Sequence, residues 1–214
     1  GAENVTIANC NISNGHNETG SYAIYAGGAA LGSAGNDHDS LVIRDCNISK
    51  AYYGIYALAS ASGVNDNLVI IGDTVGSTTI SSYVSKSGIY LSHCNGARIE
   101  GNTIFNISSS STKPVGIYLY YGCINSSVSG NKIHGIIYTG SSDYGGTGLL
   151  VTTNNAASNL LIANNLIFDI SGKGDGTLES NAITGISLCM LQVCFISPSF
   201  ESMPVEANIS LISL

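Results

Sequence analysis

Three groups of residues in this sequence have types and spacings that could do chemistry. In Asn36-Asp37-His38-Asp39, two carboxylates and an imidazole fall within three residues. Oxygen donors of this kind suit a hard cation, so Asp37, His38 and Asp39 are the candidate metal ligands and calcium is the one cofactor in view. The same residues also make an ordinary polar turn in which an Asp side chain caps nearby backbone. The second group is Arg44, Asp45 and Glu100, an arginine and two acids that a repeat could set on one face. Cleaving a glycosidic bond needs two carboxylates at a defined separation, whereas exposed acids beside an arginine usually form surface ion pairs of small energy. The third group is Tyr25, Tyr56, Tyr90 and Tyr118, each directly after an isoleucine. A row of outward rings offers a stacking platform for a sugar or a partner, and equally a ladder of rings packed on one another.

The elements that must position these groups come from an internal repeat. One motif occurs six times: a small or apolar residue, a spacer, Ile or Val, two spacers, then Asn, Cys or Asp, a spacer, and Ile or Val. It reads Val5-Ile7-Cys10-Ile12, Leu41-Ile43-Cys46-Ile48, Leu68-Ile70-Asp73-Val75, Ala97-Ile99-Asn102-Ile104, Ser126-Val128-Asn131-Ile133 and Leu160-Ile162-Asn165-Ile167. The two branched columns are five residues apart, an odd number that places them on opposite faces of a straight strand. A bend between them lets both face one core, and Gly101-Asn102, Gly130-Asn131 and Asn164-Asn165 suit a left-handed bend. A second motif alternates with the first: Ala23-Ile24-Tyr25, Gly54-Ile55-Tyr56, Gly88-Ile89-Tyr90, Gly116-Ile117-Tyr118, Gly148-Leu149-Leu150 and Gly185-Ile186-Ser187. The first branched column returns every 27 to 36 residues. Period two with β-branched enrichment argues for strands and against a helical repeat. A parallel coil, with like residues stacked about 4.8 Å apart, turns these columns into ladders of Ile, Asn and Tyr. Asn at the bend can then hydrogen-bond from coil to coil and satisfy buried backbone.

Segments such as Ala97-Arg98-Ile99-Glu100-Gly101-Asn102-Thr103-Ile104 and Ser129-Gly130-Asn131-Lys132-Ile133, each paired with Gly-Ile-Tyr, resemble the repeats of pectate-lyase-like right-handed β-helix proteins. The resemblance covers roughly residues 4 to 190. It implies an all-β, right-handed parallel β-helix, or β-solenoid, with three sheets and about six to seven irregular coils. Right-handed winding also agrees with the general rule for parallel crossovers. Enzymes of the resembled group cleave polysaccharides with acidic calcium ligands and a basic proton acceptor, or with grouped aspartates. Many functions share the scaffold, so the resemblance fixes architecture and leaves activity open. The repeat fails after Leu188, where Pro198 and Pro204 disfavour ladder pairing. The expected organisation is therefore repeats over 1–190 and an irregular last coil or capping segment over 191–214.

Composition narrows the partners. Only 10% of residues are charged, and seven Lys and Arg against fourteen Asp and Glu give a net charge of −7. Nucleic-acid binding needs clustered basic residues, and these seven are scattered. No apolar run reaches the length of a membrane span. Cys10 and Cys46 share one repeat position and read as stacked, buried free thiols, with a disulfide as the alternative. The chain opens almost directly in a strand-like segment, so the expectation is a secreted or cell-surface protein without its leader, given as a piece of a longer chain. The function expected is a structural, adhesive or self-assembling surface module that binds either its own neighbours or a glycan, the latter a polysaccharide or surface glycan. A neighbouring domain or identical subunits would cover the ends of the stack. The alternative is a polysaccharide lyase or glycoside hydrolase with its groove along one sheet.

Overall fold

The structure is a computed structural model that describes residues 2–155, 157–174 and 184–188. The chain winds through three parallel six-stranded sheets in turn, so each circuit adds one strand to each sheet. The first sheet holds Thr6–Ala8, Val42–Arg44, Val69–Ile71, Arg98–Glu100, Ser127–Ser129 and Leu161–Ala163. The second holds Asn11–Ser13, Asn47–Ser49, Thr74–Val75, Thr103–Ser109, Lys132–Tyr138 and Leu166–Ser171. The third holds Tyr22–Ala26, Tyr53–Leu58, Ser87–Ser92, Val115–Leu119, Thr147–Val151 and Thr184–Leu188. The result is a β-solenoid of six rungs, about five turns from first to last. A small parallel pair, Asn65–Asp66 with Cys94–Asn95, and a single 3-10 turn at Ile80–Ser82 lie between the main strands. The segment 191–214 lies outside the described residues.

Register follows the repeat. Ile7, Ile43, Ile70, Ile99, Val128 and Ile162 stand directly above one another in the first sheet. Ile12, Ile48, Val75, Ile104, Ile133 and Ile167 do the same in the second. Between the two sheets the backbone turns through a left-handed residue on every rung: Asn9, Asp45, Gly72, Gly101, Gly130 and Asn164, with φ between 54° and 69°. This is the bend that the five-residue spacing requires, and only Gly, Asn or Asp fills it. Both branched columns thereby enter one core with Ile55, Ile89, Leu91, Ile117 and Leu119 of the third sheet, all essentially sealed from solvent. Glycine is needed at Gly88 and Gly116, where a Cβ would meet the carbonyl oxygen of the next rung at 2.7 and 2.4 Å.

The two stacked cysteines differ from expectation in one respect. Cys46 is a buried free thiol, but Cys10 is an exposed one. Cys10 lies on the first rung, which among the described residues has a neighbouring rung on one side only. Cys94 and Cys123 are buried free thiols as well.

Candidate functional site

The outer face of the third sheet carries the most distinctive surface. Tyr25, Tyr56, Tyr90 and Tyr118 occupy one register column, which continues as Leu150 and Ser187. The rings of Tyr25 and Tyr56 stack at 5.7 Å between centroids, and those of Tyr56 and Tyr90 at 4.7 Å, nearly parallel. Tyr118 turns edge-on to Tyr90 at 5.3 Å. A second column lies beside the first: Tyr22 stacks on Tyr53 at 5.4 Å, and Tyr53 meets Tyr56 edge-on at 4.8 Å. Tyr52 packs edge-on against Tyr53 at one margin, while Tyr120 and Tyr121 extend the cluster beyond Tyr118 at the other. Tyr22 was readable from sequence, since Tyr22 and Tyr25 repeat the three-residue offset of Tyr53 and Tyr56.

These rings are partly covered, to different degrees. Tyr56 is 7% exposed and Tyr121 is 41% exposed, with Tyr25, Tyr90 and Tyr118 between. The loop after Tyr25 folds back so that the Tyr25 hydroxyl donates to the carbonyls of Ala30 and Ser33, both at 2.9 Å. Thr152 donates to the Tyr118 hydroxyl at 3.2 Å. Burial, reinforced by the neighbouring phenols, pushes Tyr56 up to about 12 and raises Tyr53 and Tyr90 further. The face is therefore uncharged around neutral pH and presents phenol O–H groups beside apolar rings. At its margin Lys86 donates to the Lys113 carbonyl at 3.1 Å, and burial holds both ammonium groups below the usual lysine range. A polar cleft of about 320 Å³ opens next to Tyr52, walled by Glu18, Ser85 and the serine run from Ser108 to Ser111.

The other two groups are dispersed. Asp39 Oδ1 accepts the backbone N–H of Asp66 at 2.8 Å, so it serves the turn. His38 Nδ1 accepts from the Ala2 N–H at 3.3 Å, and its Nε2 lies 3.2 Å from the Gly27 carbonyl. Asp37 is exposed with φ 27°. Among the described residues no three His, Cys, Asp or Glu side chains gather around a common point. Arg44 and Glu100 do share a column of the first sheet, two rungs apart with Ile71 between them. Each forms a local pair instead: Arg44 with Asp45 at 2.9 Å, and Glu100 with Arg98 at 2.6 Å. That face therefore carries two separate ion pairs.

The corner between the first and second sheets holds the Asn ladder expected from the repeat. Asn102 and Asn131, both buried, and the half-buried Asn165 form a ladder in which each Oδ1 accepts the backbone N–H of the preceding rung, at 2.8 to 3.0 Å. Asp73 continues it, accepting from Cys46 N–H at 2.8 Å, and is 1% exposed. A second, exposed ladder runs through the turn before the first sheet, from Asn159 to Asn125 to Asn95 to Asp66, at 2.8 to 3.0 Å.

Set beside known families, residues 1–189 match the model of the right handed beta helix region. The chain belongs to this family. No curated protein and no solved structure matches it. Membership agrees with the pectate-lyase-like likeness in architecture, and leaves the work of this β-helix to be argued from its surface.

Proposed function

We propose that this β-helix is a non-catalytic surface module that binds a glycan along the tyrosine face of its third sheet. The observation that supports the reading is the contiguous tyrosine cluster: the column Tyr25, Tyr56, Tyr90 and Tyr118, flanked by Tyr22 and Tyr53 on the first two rungs and extended by Tyr120 and Tyr121 beyond Tyr118. Stacked rings present apolar area at low conformational cost, and phenol O–H groups supply donors beside it, which together suit a sugar ring with one apolar face and a polar edge. The adjoining cleft beside Glu18 and Tyr52 adds hydroxyls and a carboxylate at the margin. A cleaving enzyme would need acids converging on this face. Of the acids singled out in sequence, Asp45 and Glu100 lie on the first sheet in local pairs. Calcium at Asp37, His38 and Asp39 remains part of the proposal only as a loop-ordering ion, because Asp39 and His38 are already engaged with backbone groups.

A secreted or cell-surface location accords with the sparsely charged, Asn- and Ser-rich chain, and with a ligand of that chemistry. Among the described residues no helix is long and apolar enough to cross a membrane. Leu161, Leu166, Phe168, Ile186 and Leu188 are exposed on the last described rung. That surface supports an assembly role as well, with a neighbouring domain or an identical subunit stacked on the solenoid. The binding reading has a direct probe: the chain has twelve tyrosines and no tryptophan, so its fluorescence reports on the proposed face. Titration with neutral oligosaccharides should change tyrosine emission saturably, and Tyr90→Leu or Tyr118→Leu should weaken binding about tenfold, the equivalent of one lost stacking contact. No saturable change with any neutral or acidic glycan, or variants that bind as the wild type does, would contradict the proposal.

A further inference from the structure

One rung of the corner ladder has different chemistry from the rest. Asn102, Asn131 and Asn165 use both ends of the amide. While Oδ1 accepts a backbone N–H, Nδ2 donates to the carbonyl of Ile70, Ile99 or Val128 on the preceding rung, at 2.8 to 3.0 Å. The Cys46 thiol makes a weaker bond of the same kind to the Ile7 carbonyl at 3.7 Å. Asp73 occupies the equivalent place between these partners. Its Oδ1 is engaged as an Asn Oδ1 would be. Oδ2 then stands where the others carry the amide nitrogen, and strand register puts Ile43 in the place of Ile70, Ile99 and Val128. Among the described residues Oδ2 has no hydrogen-bond partner. If that place is kept, two oxygens meet in a buried corner, which is costly without a hydrogen between them, and at 1% exposure water does not relieve them.

We propose that the folded chain holds Asp73 as the neutral acid, with its Oδ2–H donating to the Ile43 carbonyl, and that loss of this proton to solvent weakens the junction between the second and third rungs. The junction matters for the surface too, since the Tyr56–Tyr90 stack bridges the same two rungs on the third sheet. The titratable groups facing Asp73 are few. Asp45, paired with Arg44, and the Cys46 thiol face it from the second rung, while Asn102 on the fourth rung is uncharged. Burial raises the Asp73 carboxyl to about 6; the Cys46 N–H and, less strongly, the Cys46 thiol oppose the rise, and the Asp45 charge adds to it. An unfolded aspartate ionises near 4. The folded state therefore binds this proton more tightly than the unfolded state does. The stabilisation is complete below about pH 4 and is lost as pH rises through about 6.

The test is urea unfolding of the full chain, wild type and Asp73→Asn, from pH 4 to pH 8. Asn restores the amide of the ladder and removes the titration. The unfolding equilibrium constant of the wild type should rise on the order of 100-fold more than that of Asp73→Asn across this range, two pKa units being a hundredfold. Parallel profiles for the two chains would overturn the proposal. Carboxyl-carbon NMR of the wild-type chain gives an independent reading that needs no variant. An Asp73 midpoint near 6 supports the neutral acid, and a midpoint below about 4.5 overturns it.

Discussion

Two ladders run along this solenoid on opposite terms. At the corner between the first and second sheets, Asn102, Asn131 and the half-buried Asn165 stack, and their amides serve the backbone of the adjacent rung. On the outer face of the third sheet, Tyr25, Tyr56, Tyr90 and Tyr118 stack at the same register interval, yet ring contacts with neighbouring tyrosines dominate their surroundings. Both ladders arise from one cause: a repeat that returns each residue type to the same place on every coil. The difference lies in what folding requires of each. Removing a corner Asn strands buried donors and acceptors, whereas removing a Tyr exposes neighbouring rings and leaves the backbone pairing intact. Repetition on the inside is consumed by the fold, whereas repetition on the outside is not.

Variants sharpen that contrast in order of size. The largest loss belongs to the core behind the corner. Ile99→Ala, at a position with no solvent exposure, should cost about 2–5 kcal/mol by leaving a cavity between rungs that cannot collapse. Asn131→Ala should follow at about 2–4 kcal/mol, since it orphans the Asn102 N–H and the Ile99 carbonyl together. Urea midpoints at constant m-value check both. If Asn131→Ala costs under half a kcal/mol, the corner ladder is decorative and the contrast fails. Tyr118→Leu on the outer face should cost only about 0.5–1.5 kcal/mol in stability while changing sugar affinity. Should stability and affinity fall in the opposite proportion, the face is structural. The smallest effect is expected at Arg98→Ala, whose half-exposed pair with Glu100 should change stability by less than about 1 kcal/mol and less still in high salt.

Much of this architecture was legible in the sequence because a β-helix writes its register into spacing. The five-residue interval from Ile99 to Ile104, with Gly101-Asn102 between, already demands a bend with both branched side chains inward, and the left-handed φ of Gly101 supplies it. The tyrosine column was equally readable, since strand alternation sets Tyr56 and Tyr90 opposite Ile55 and Ile89. Other features depended on connections of irregular length. The Asn159–Asn125–Asn95–Asp66 ladder lies in turns whose spacing varies from 29 to 34 residues, so no fixed period marks it. The placement of the loop after Tyr25, held by Ala30 and Ser33 carbonyls, had no repeat to betray it. Asp73 appeared in sequence as one more polar member of its column. What distinguishes it, an acceptor placed where its neighbours carry donors, exists only once the rungs are stacked.

On the proposed reading, the outer tyrosine ladder binds glycan without cleaving it. The most direct measurement is an NMR time course of the intact chain with a neutral oligosaccharide, following tyrosine ring protons and sugar anomeric protons together. Saturable shifts of the Tyr56, Tyr90 and Tyr118 rings are expected, with the sugar signals conserved in number over a day. New anomeric or unsaturated-sugar signals would show cleavage, and sugar contacts confined to residues off the third sheet would show that the ladder serves the fold alone.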